Sequence, residues 1–288
     1  MIDVNLDRVS VTYATEPVFV DLSWEIHDNR CVGLVGPNGC GKSTLLHLIC
    51  GEVTSDTGFT TRRKGITIGY LQQKPRLEPG RSVWQETLAA STALARVETE
   101  LARLEAQLAD PTVYGDEKAL TRTLDRQAQV LDEYEQLGGP SYQGRVRSTL
   151  LSLGFTEGDL ELPVEALSGG QKKLVGLAKL LVTQPDLLLL DEPDNHLDLE
   201  GKAFLGRFIN GYKGTVIIVS HDRYLLDLVV DEIAELGDGR LTRYPGTYSE
   251  FAVEKQLQLL RQQQLYQAQQ KEITRLEQAA KRLMTWGS

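Results

Sequence analysis

The run Gly36-Pro37-Asn38-Gly39-Cys40-Gly41-Lys42-Ser43-Thr44 decides how the rest of this chain is read. It fits G-x-x-x-x-G-K-[S/T], a loop whose glycines let the backbone curl until successive N–H groups face one point. The flanks agree with that reading. Cys31-Val32-Gly33-Leu34-Val35 has the composition of a buried strand, and Ser43 to Cys50 opens an apolar-periodic helix. A helix N-terminus contributes about half a positive charge. Lys42 would reach the outer phosphates, and Ser43 offers a hydroxyl to Mg²⁺. The expectation is a site for a nucleoside triphosphate.

Composition narrows the class. A chain of 288 residues holds one large domain or two small ones, and 41% hydrophobic with 25% charged content is ordinary for a soluble globular protein. No apolar run approaches the roughly 20 residues of a membrane span. Met1-Ile2-Asp3-Val4 lacks the basic flank and apolar core of a signal peptide. Cys31, Cys40 and Cys50 match no metal-ligand spacing, and a free cysteine inside the phosphate loop suits a reducing compartment. The expected location is the cytoplasm. A net charge of −9 argues against a chain-wide polyanion-binding surface, so any nucleic-acid contact must come from a local patch or a larger assembly.

Outward from the loop, residues 1 to 35 hold short alternating runs, Val9–Tyr13, Val18–Phe19 and Leu22–Ile26, which predict an antiparallel hairpin layer. Gly51 to Gly65 reads as polar and turn-rich, and Ile66 to Leu71 as a strand running into Gln72-Gln73. Leu94, Val97, Leu101, Leu104 and Leu108 are spaced 3, 4, 3 and 4, an a/d heptad seam that Asp110-Pro111 breaks. A second seam reads Leu120, Leu124, Leu131 and Tyr134, with polar Gln127 at one position, and ends at Gly138-Gly139-Pro140. Two such helices make a hairpin about 24 to 30 Å long. With 5 Lys+Arg against 10 Asp+Glu between residues 93 and 137, it is acidic. A subdomain packed on its own domain and a projecting arm both fit it. Phe251 to Leu283 reads as one helix near 50 Å. Residues 254 to 288 carry 6 Lys+Arg and 3 Asp+Glu, a basic tail on an acidic protein. A lone amphipathic helix of that length needs something to pack on, so a fragment is expected.

Three further stretches carry chemistry. Leu167-Ser168-Gly169-Gly170-Gln171 opens a helix with Leu174, Leu177, Ala178 and Leu181 on one face. Ser168 and Gln171 satisfy a capping box, while Ser-Gly-Gly leaves a bare helix N-terminus, a second anion site. One phosphate loop is already present, so a second site suggests two chains sharing each nucleotide. Leu187-Leu188-Leu189-Leu190 must be a strand covered on both faces, and it ends in Asp191-Glu192-Pro193. At that end, where α/β sheets place ligands, Asp191 would hold Mg²⁺ through water and Glu192 would polarise the attacking water. Thr215-Val216-Ile217-Ile218-Val219-Ser220 is another buried strand and delivers His221-Asp222, where a histidine can reach the γ-phosphate.

Taken together over residues 2 to 245, these motifs resemble the ATP-binding cassette (ABC) ATPases: phosphate loop 36–44, signature 167–171, the strand with its acids 187–192, and the switch His221, in that order. The resemblance implies an α/β fold, with an ABC-type P-loop core, an antiparallel β subdomain, a helical signature subdomain and a short helical-hairpin insertion. It implies that Tyr13 stacks on adenine and that Gln73 touches Mg²⁺ and water. Ser168, Gly169, Gly170 and Gln171 would bind ATP held by an opposite cassette. Asp191-Glu192-Pro193-Asp194-Asn195-His196-Leu197-Asp198 and Ser220-His221-Asp222-Arg223-Tyr224-Leu225 are similar to runs of the ABC-F branch, with Asp194 where that branch usually has threonine. Tyr244-Pro245-Gly246-Thr247-Tyr248-Ser249 resembles the start of its interdomain linker. That likeness implies residues 1–253 as one cassette with 94–137 as its arm-like insertion, and 254–288 as the beginning of a linker. It further implies an ATPase with ATP and Mg²⁺ that needs a second cassette for full activity. The branch acts on the ribosome, in translation or antibiotic resistance. The nucleotide-binding subunit of a membrane transporter is the alternative.

Overall fold

The computed structural model describes residues 1–13, 16–72 and 75–286, and the side chains of all of these except 272 and 274–286. Strands β1 (Ile2–Tyr13) and β2 (Glu16–His27) pair antiparallel. Bulges interrupt them: Arg8 and Asp21 have positive φ, and their N–H groups donate to Ser23 Oγ (3.0 Å) and Ser10 Oγ (3.1 Å). Each bulge shifts the in/out alternation, which is why two 12-residue strands read in sequence as several short runs. After β3 (Cys31–Val35) and α1 (Lys42–Cys50), β4 (Thr57–Arg62) adds to β1 and completes a three-stranded sheet. The sequence reading missed β4. Its Thr-Gly-rich composition is that of a turn, and Gly58 is required because a Cβ there would lie 2.2 Å from the Arg8 carbonyl oxygen.

The second sheet holds β5 (Ile68–Leu71), β6 (Leu187–Asp191), β7 (Thr215–Val219), β8 (Glu232–Gly237) and β9 (Arg240–Pro245), in the order β5-β6-β7-β3-β8-β9. All pairs are parallel except β8 with β9. Leu187, Leu188, Leu189 and Leu190 are each 0% exposed and alternate between two cores, one on each face of the sheet. Burying each such side chain stabilises the fold by about 1.5–3 kcal/mol, so the unbroken leucine run is what a strand covered on both faces requires.

Between β5 and β6 lie helices α2 (Val83–Leu88), α3 (Thr92–Leu108), α4 (Pro111–Tyr114), α5 (Glu117–Gln136), α6 (Gly139–Ser152) and α7 (Gly169–Thr183). Glu86, fully buried on α2, is held by Arg81 and by Lys179 of α7, which ties the helical layer together. Helices α3 and α5 form the expected hairpin around Val97, Leu104 and Val130. The seam on α5 differs from the expectation. Leu124 and Leu131 are 46% and 45% exposed, and the inward face passes instead through Leu120, Thr123, Gln127, Val130 and Tyr134. Leu120, Gln127 and Tyr134 lie on it as expected, and polar Thr123 hides the rest of the 3-4 spacing. Helices α8 (Leu199–Asn210), α9 (Arg223–Val229) and α10 (Tyr248–Trp286) complete the chain, and α10 is almost wholly exposed over its described side chains beyond Phe251.

Candidate nucleotide site

The parallel order brings three strand ends side by side: β3 runs into residues 36–41, β6 ends in Asp191-Glu192, and β7, between them, runs into Ser220-His221. Sequence-distant motifs therefore share one sheet edge because Asp191 registers with Val219, and Gly33 with Ile218.

In the phosphate loop, Gly36, Gly39 and Gly41 all have φ in the left-handed range. Gly36 cannot be replaced without moving backbone, since a Cβ there would sit 2.1 Å from the Leu236 carbonyl oxygen. At Gly41 a Cβ would meet Val18 Cγ1 at 2.3 Å, so the loop is pressed against β2, whose paired strand ends at Tyr13. Tyr13 itself is 52% exposed. Pro37, Asn38 and Gly39 face solvent and Cys40 is half-buried. Lys42 Nζ donates to the carbonyls of Gly36 (2.8 Å) and Pro37 (2.9 Å), so the ammonium is folded over its own loop. Thr44 follows on the first turn of α1.

Ser43 Oγ donates to Asp191 Oδ2 at 2.8 Å, which unites the hydroxyl and carboxylate expected at a cation. Asp191 is buried, and its neighbour Tyr70 on β5 has its phenol pushed well up by burial and by the Asp191 charge. A hydroxyl beside a buried carboxylate is a hard oxygen donor set, which fits Mg²⁺ rather than a soft metal. Gln73, the third expected cation ligand, lies outside the described residues. Glu192 has φ +52, a strained value for a non-glycine residue that its N–H donating to Val219 O (2.8 Å) helps to hold. Its carboxylate accepts from Asn195 Nδ2 at 2.8 Å, and its other oxygen stands 3.7 Å from His221 Nε2.

A cavity of about 180 Å³ opens beside these groups, lined among others by Gly36, Lys42, Ser220, His221, Arg223 and Tyr248. The first turn of α10 thus reaches the site. Arg223 lies 6.0 Å over the Tyr248 ring, and Ser249 donates from N (2.7 Å) and Oγ (2.5 Å) to Asp227 of α9. Asp222 is structural: it caps α9 by accepting from Tyr224 and Leu225 N–H, and Lys202, donating at 2.7 Å, holds its carboxyl below the usual range. Asp194 is buried, and its Oδ1 has no hydrogen-bond partner among the described residues.

At the second expected anion site the capping box is formed. Ser168 Oγ accepts from Gln171 N (3.2 Å), and Ser168 N donates to Gln171 Oε1 (3.0 Å). Ser168 and Gly169 are exposed. Gly170 abuts the His196 ring, where a Cβ would fall 2.9 Å from Cγ.

A family model described as ABC transporter matches residues 19–195, more than half of the chain, and a second of the same description matches 234–288. The chain belongs to the ABC ATPase family. Among its cassette relatives, the ATP-binding protein YdiF of Bacillus subtilis is 37% identical over 96% of this chain and 42% of its own length. The energy-dependent translational throttle protein EttA of Haemophilus influenzae is 36% identical over 90% and 45%, and the tylosin resistance ATP-binding protein TlrC of Streptomyces fradiae 34% over 94% and 49%. These relatives are ABC-F proteins, the branch the motif runs resembled. The chain spans less than half the length of each. The fold of the cassette also matches an ATP-binding subunit of an ABC transporter, with TM-score 0.60 at 19% identity over 88% of this chain and 94% of that one. No helix among the described residues is long and apolar enough to cross a membrane.

Sequence reasoning overlooked three residues that the cassette fold brings to the site. Tyr70, Asn195 and Lys173 carry no motif signal in themselves. Asn195 stands inside the Asp191–Asp198 run, where its spacing from Glu192 was the available clue. His47 pairs with Glu52 (2.7 Å) and meets the edge of Tyr70 (5.1 Å). With Cys50 these ligand-type atoms lie within 4.8 Å of one another, but Gln72 donates to Glu52's other oxygen, and the group closes the C-terminus of α1.

Proposed function

We propose that this chain is the ATP-hydrolysing cassette of an ABC-F protein acting on the ribosome. The observation that carries the catalytic part is the gathering of Ser43, Asp191, Glu192 and His221 at adjoining ends of β3, β6 and β7. Gly36 to Thr44 wrap the triphosphate with backbone N–H groups. Lys42 leaves its carbonyl partners for the outer phosphates, and Tyr13 stacks on the adenine. Ser43, Gln73 and Asp191 hold Mg²⁺, which when bound offsets phosphate charge. Glu192 accepts a proton from the attacking water, Asn195 steadies its second oxygen, and His221 donates to the γ-phosphate. The exposed helix start at Ser168, Gly169, Gly170 and Gln171 serves ATP on an opposite cassette, so full activity needs that partner.

Residues 1–253 then form the cassette, 94–137 its arm, and 254–288 the start of a linker toward rRNA or tRNA. The translational role in EttA's name and the resistance role in TlrC's support a ribosomal target. The test is sedimentation of the full-length protein with ribosomes, using Glu192→Gln and its counterpart in any second cassette. Hydrolysis should fall by about 10²–10⁴-fold, and ATP should drive the variant into the ribosomal pellet. ATP-independent pelleting, or recovery with membranes, would overturn the ribosomal reading. Wild-type turnover in Glu192→Gln would overturn the role given to Glu192.

A further inference from the structure

We propose that Lys173 is a positioning residue for catalysis, tethering the signature helix α7 to the backbone of the catalytic glutamate in the same chain. This deepens the reading just given, because it presumes that Glu192 is the base.

Lys173 is the fifth residue of α7, two residues beyond the signature. It is 7% exposed, and its Nζ donates to the Glu192 carbonyl at 2.9 Å. Among the described residues that is the one hydrogen bond found for it. An ammonium taken from water is costly unless its donors are matched, and packing alone is better served by an uncharged side chain. The acceptor is also particular. Glu192 stands where β6 turns out of the sheet at positive φ, a conformation that persists only where neighbours hold it. Its N–H is fixed to Val219 O of β7, its carboxylate to Asn195 Nδ2, and its carbonyl accepts from Lys173 Nζ at 2.9 Å and from Asn195 N at 3.3 Å. Of these ties, only the one from Lys173 comes from the helical layer.

A second contact joins the same two segments. Gly170, inside the signature, abuts the ring of His196, four residues past Glu192 and itself at φ +74. The surface that would grip an opposite cassette's nucleotide and the loop that would cut this cassette's own are therefore one mechanical piece. A shift of α7 on docking is passed to Glu192 through an ammonium–carbonyl bond rather than through solvent. Such a tether acts on the chemical step and leaves nucleotide affinity to the phosphate loop.

The experiment compares wild type, Lys173→Met and Lys173→Arg in the 288-residue chain. Its readouts are ATP affinity, turnover at saturating ATP, and amide hydrogen exchange over residues 191–197 and over the phosphate loop. Lys173→Met should keep ATP affinity within about twofold, lose roughly 10- to 100-fold in kcat, and exchange faster over 191–197 only. Lys173→Arg, which restores a donor, should recover part of both. In a Glu192→Gln background, Lys173→Met should cause no further loss. An unchanged exchange rate over 191–197 overturns the tether even if no variant turns over, and equal loss of kcat in the Glu192→Gln background overturns the positioning role. Absent turnover in wild type once ATP has paired the chain with an opposite cassette, with the exchange difference intact, would instead count against the hydrolytic reading.

Discussion

Ser43 occupies one atom position with two consequences: its hydroxyl fixes the orientation of Asp191, and it is itself an expected cation ligand. Ser43→Ala removes both. Hydrogen bonds to charged groups are worth about 1.5–3 kcal/mol, so nucleotide affinity in the presence of Mg²⁺ should weaken by roughly 10- to 100-fold, with much less change in the presence of EDTA. Fluorescent-nucleotide titration under the two conditions reads this directly. Equal weakening in both would place the hydroxyl on phosphate rather than on the cation. What was legible at this scale was whatever a fixed spacing encodes. Gly36 to Thr44, Asp191-Glu192 and His221 announce themselves because their backbone neighbours dictate where they point. Lys173 reads in sequence as a polar residue on a helix, and Tyr70 as a strand aromatic. Their parts depend on which distant backbone the fold sets against them.

At the scale of elements, β5 and β6 start as a clamped pair. Thr67 donates from both N and Oγ1 to Asp186 Oδ2 at 2.8 Å, and Asp186 N is bonded in return to Thr67 Oγ1. Those Thr67 hydrogen bonds hold the Asp186 carboxyl below its ordinary value of 3.8, as Ser249 does for Asp227 and Lys202 for Asp222. A carboxyl more acidic in the folded chain stabilises it above the unfolded value. That contribution fades as pH falls through 3.8 toward the folded value. The chain should therefore lose stability on acidification below about pH 4. Asp186→Asn should be less stable at pH 7 and show a shallower acid limb in urea melts. Identical acid limbs would remove Asp186 from the account. The sequence carried the inner strands cleanly, because full burial demands uninterrupted apolar runs such as Leu187–Leu190. It carried the outer layer poorly. β4 is half-exposed and Thr-rich, so nothing in its hydrophobicity marks it, and the α5 seam is partly hidden by Thr123.

For the molecule as a whole, the proposed sharing of ATP between the phosphate loop of one chain and the exposed helix start at Ser168 of another predicts an end-for-end pair. With Glu192→Gln to halt turnover, ATP and Mg²⁺ should drive the chain to a dimer in analytical ultracentrifugation, and Gly170→Asp, which sets a negative charge at that helix start, should abolish it. A nucleotide-insensitive monomer would mean that pairing depends on residues outside this chain.

The fastening of α10 to α9, through Tyr248 under Arg223 and Ser249 on Asp227, has a geometric consequence. The 39 residues of α10 make a rod about 58 Å long whose root adjoins the nucleotide cavity. Turning that root by about 5° swings the tip through roughly 5 Å, the rise of one helical turn. A displacement too small to notice at His221 becomes, at the tip, the width of a side chain. The helix is a lever whose fulcrum sits against the cavity lined by Lys42 and His221.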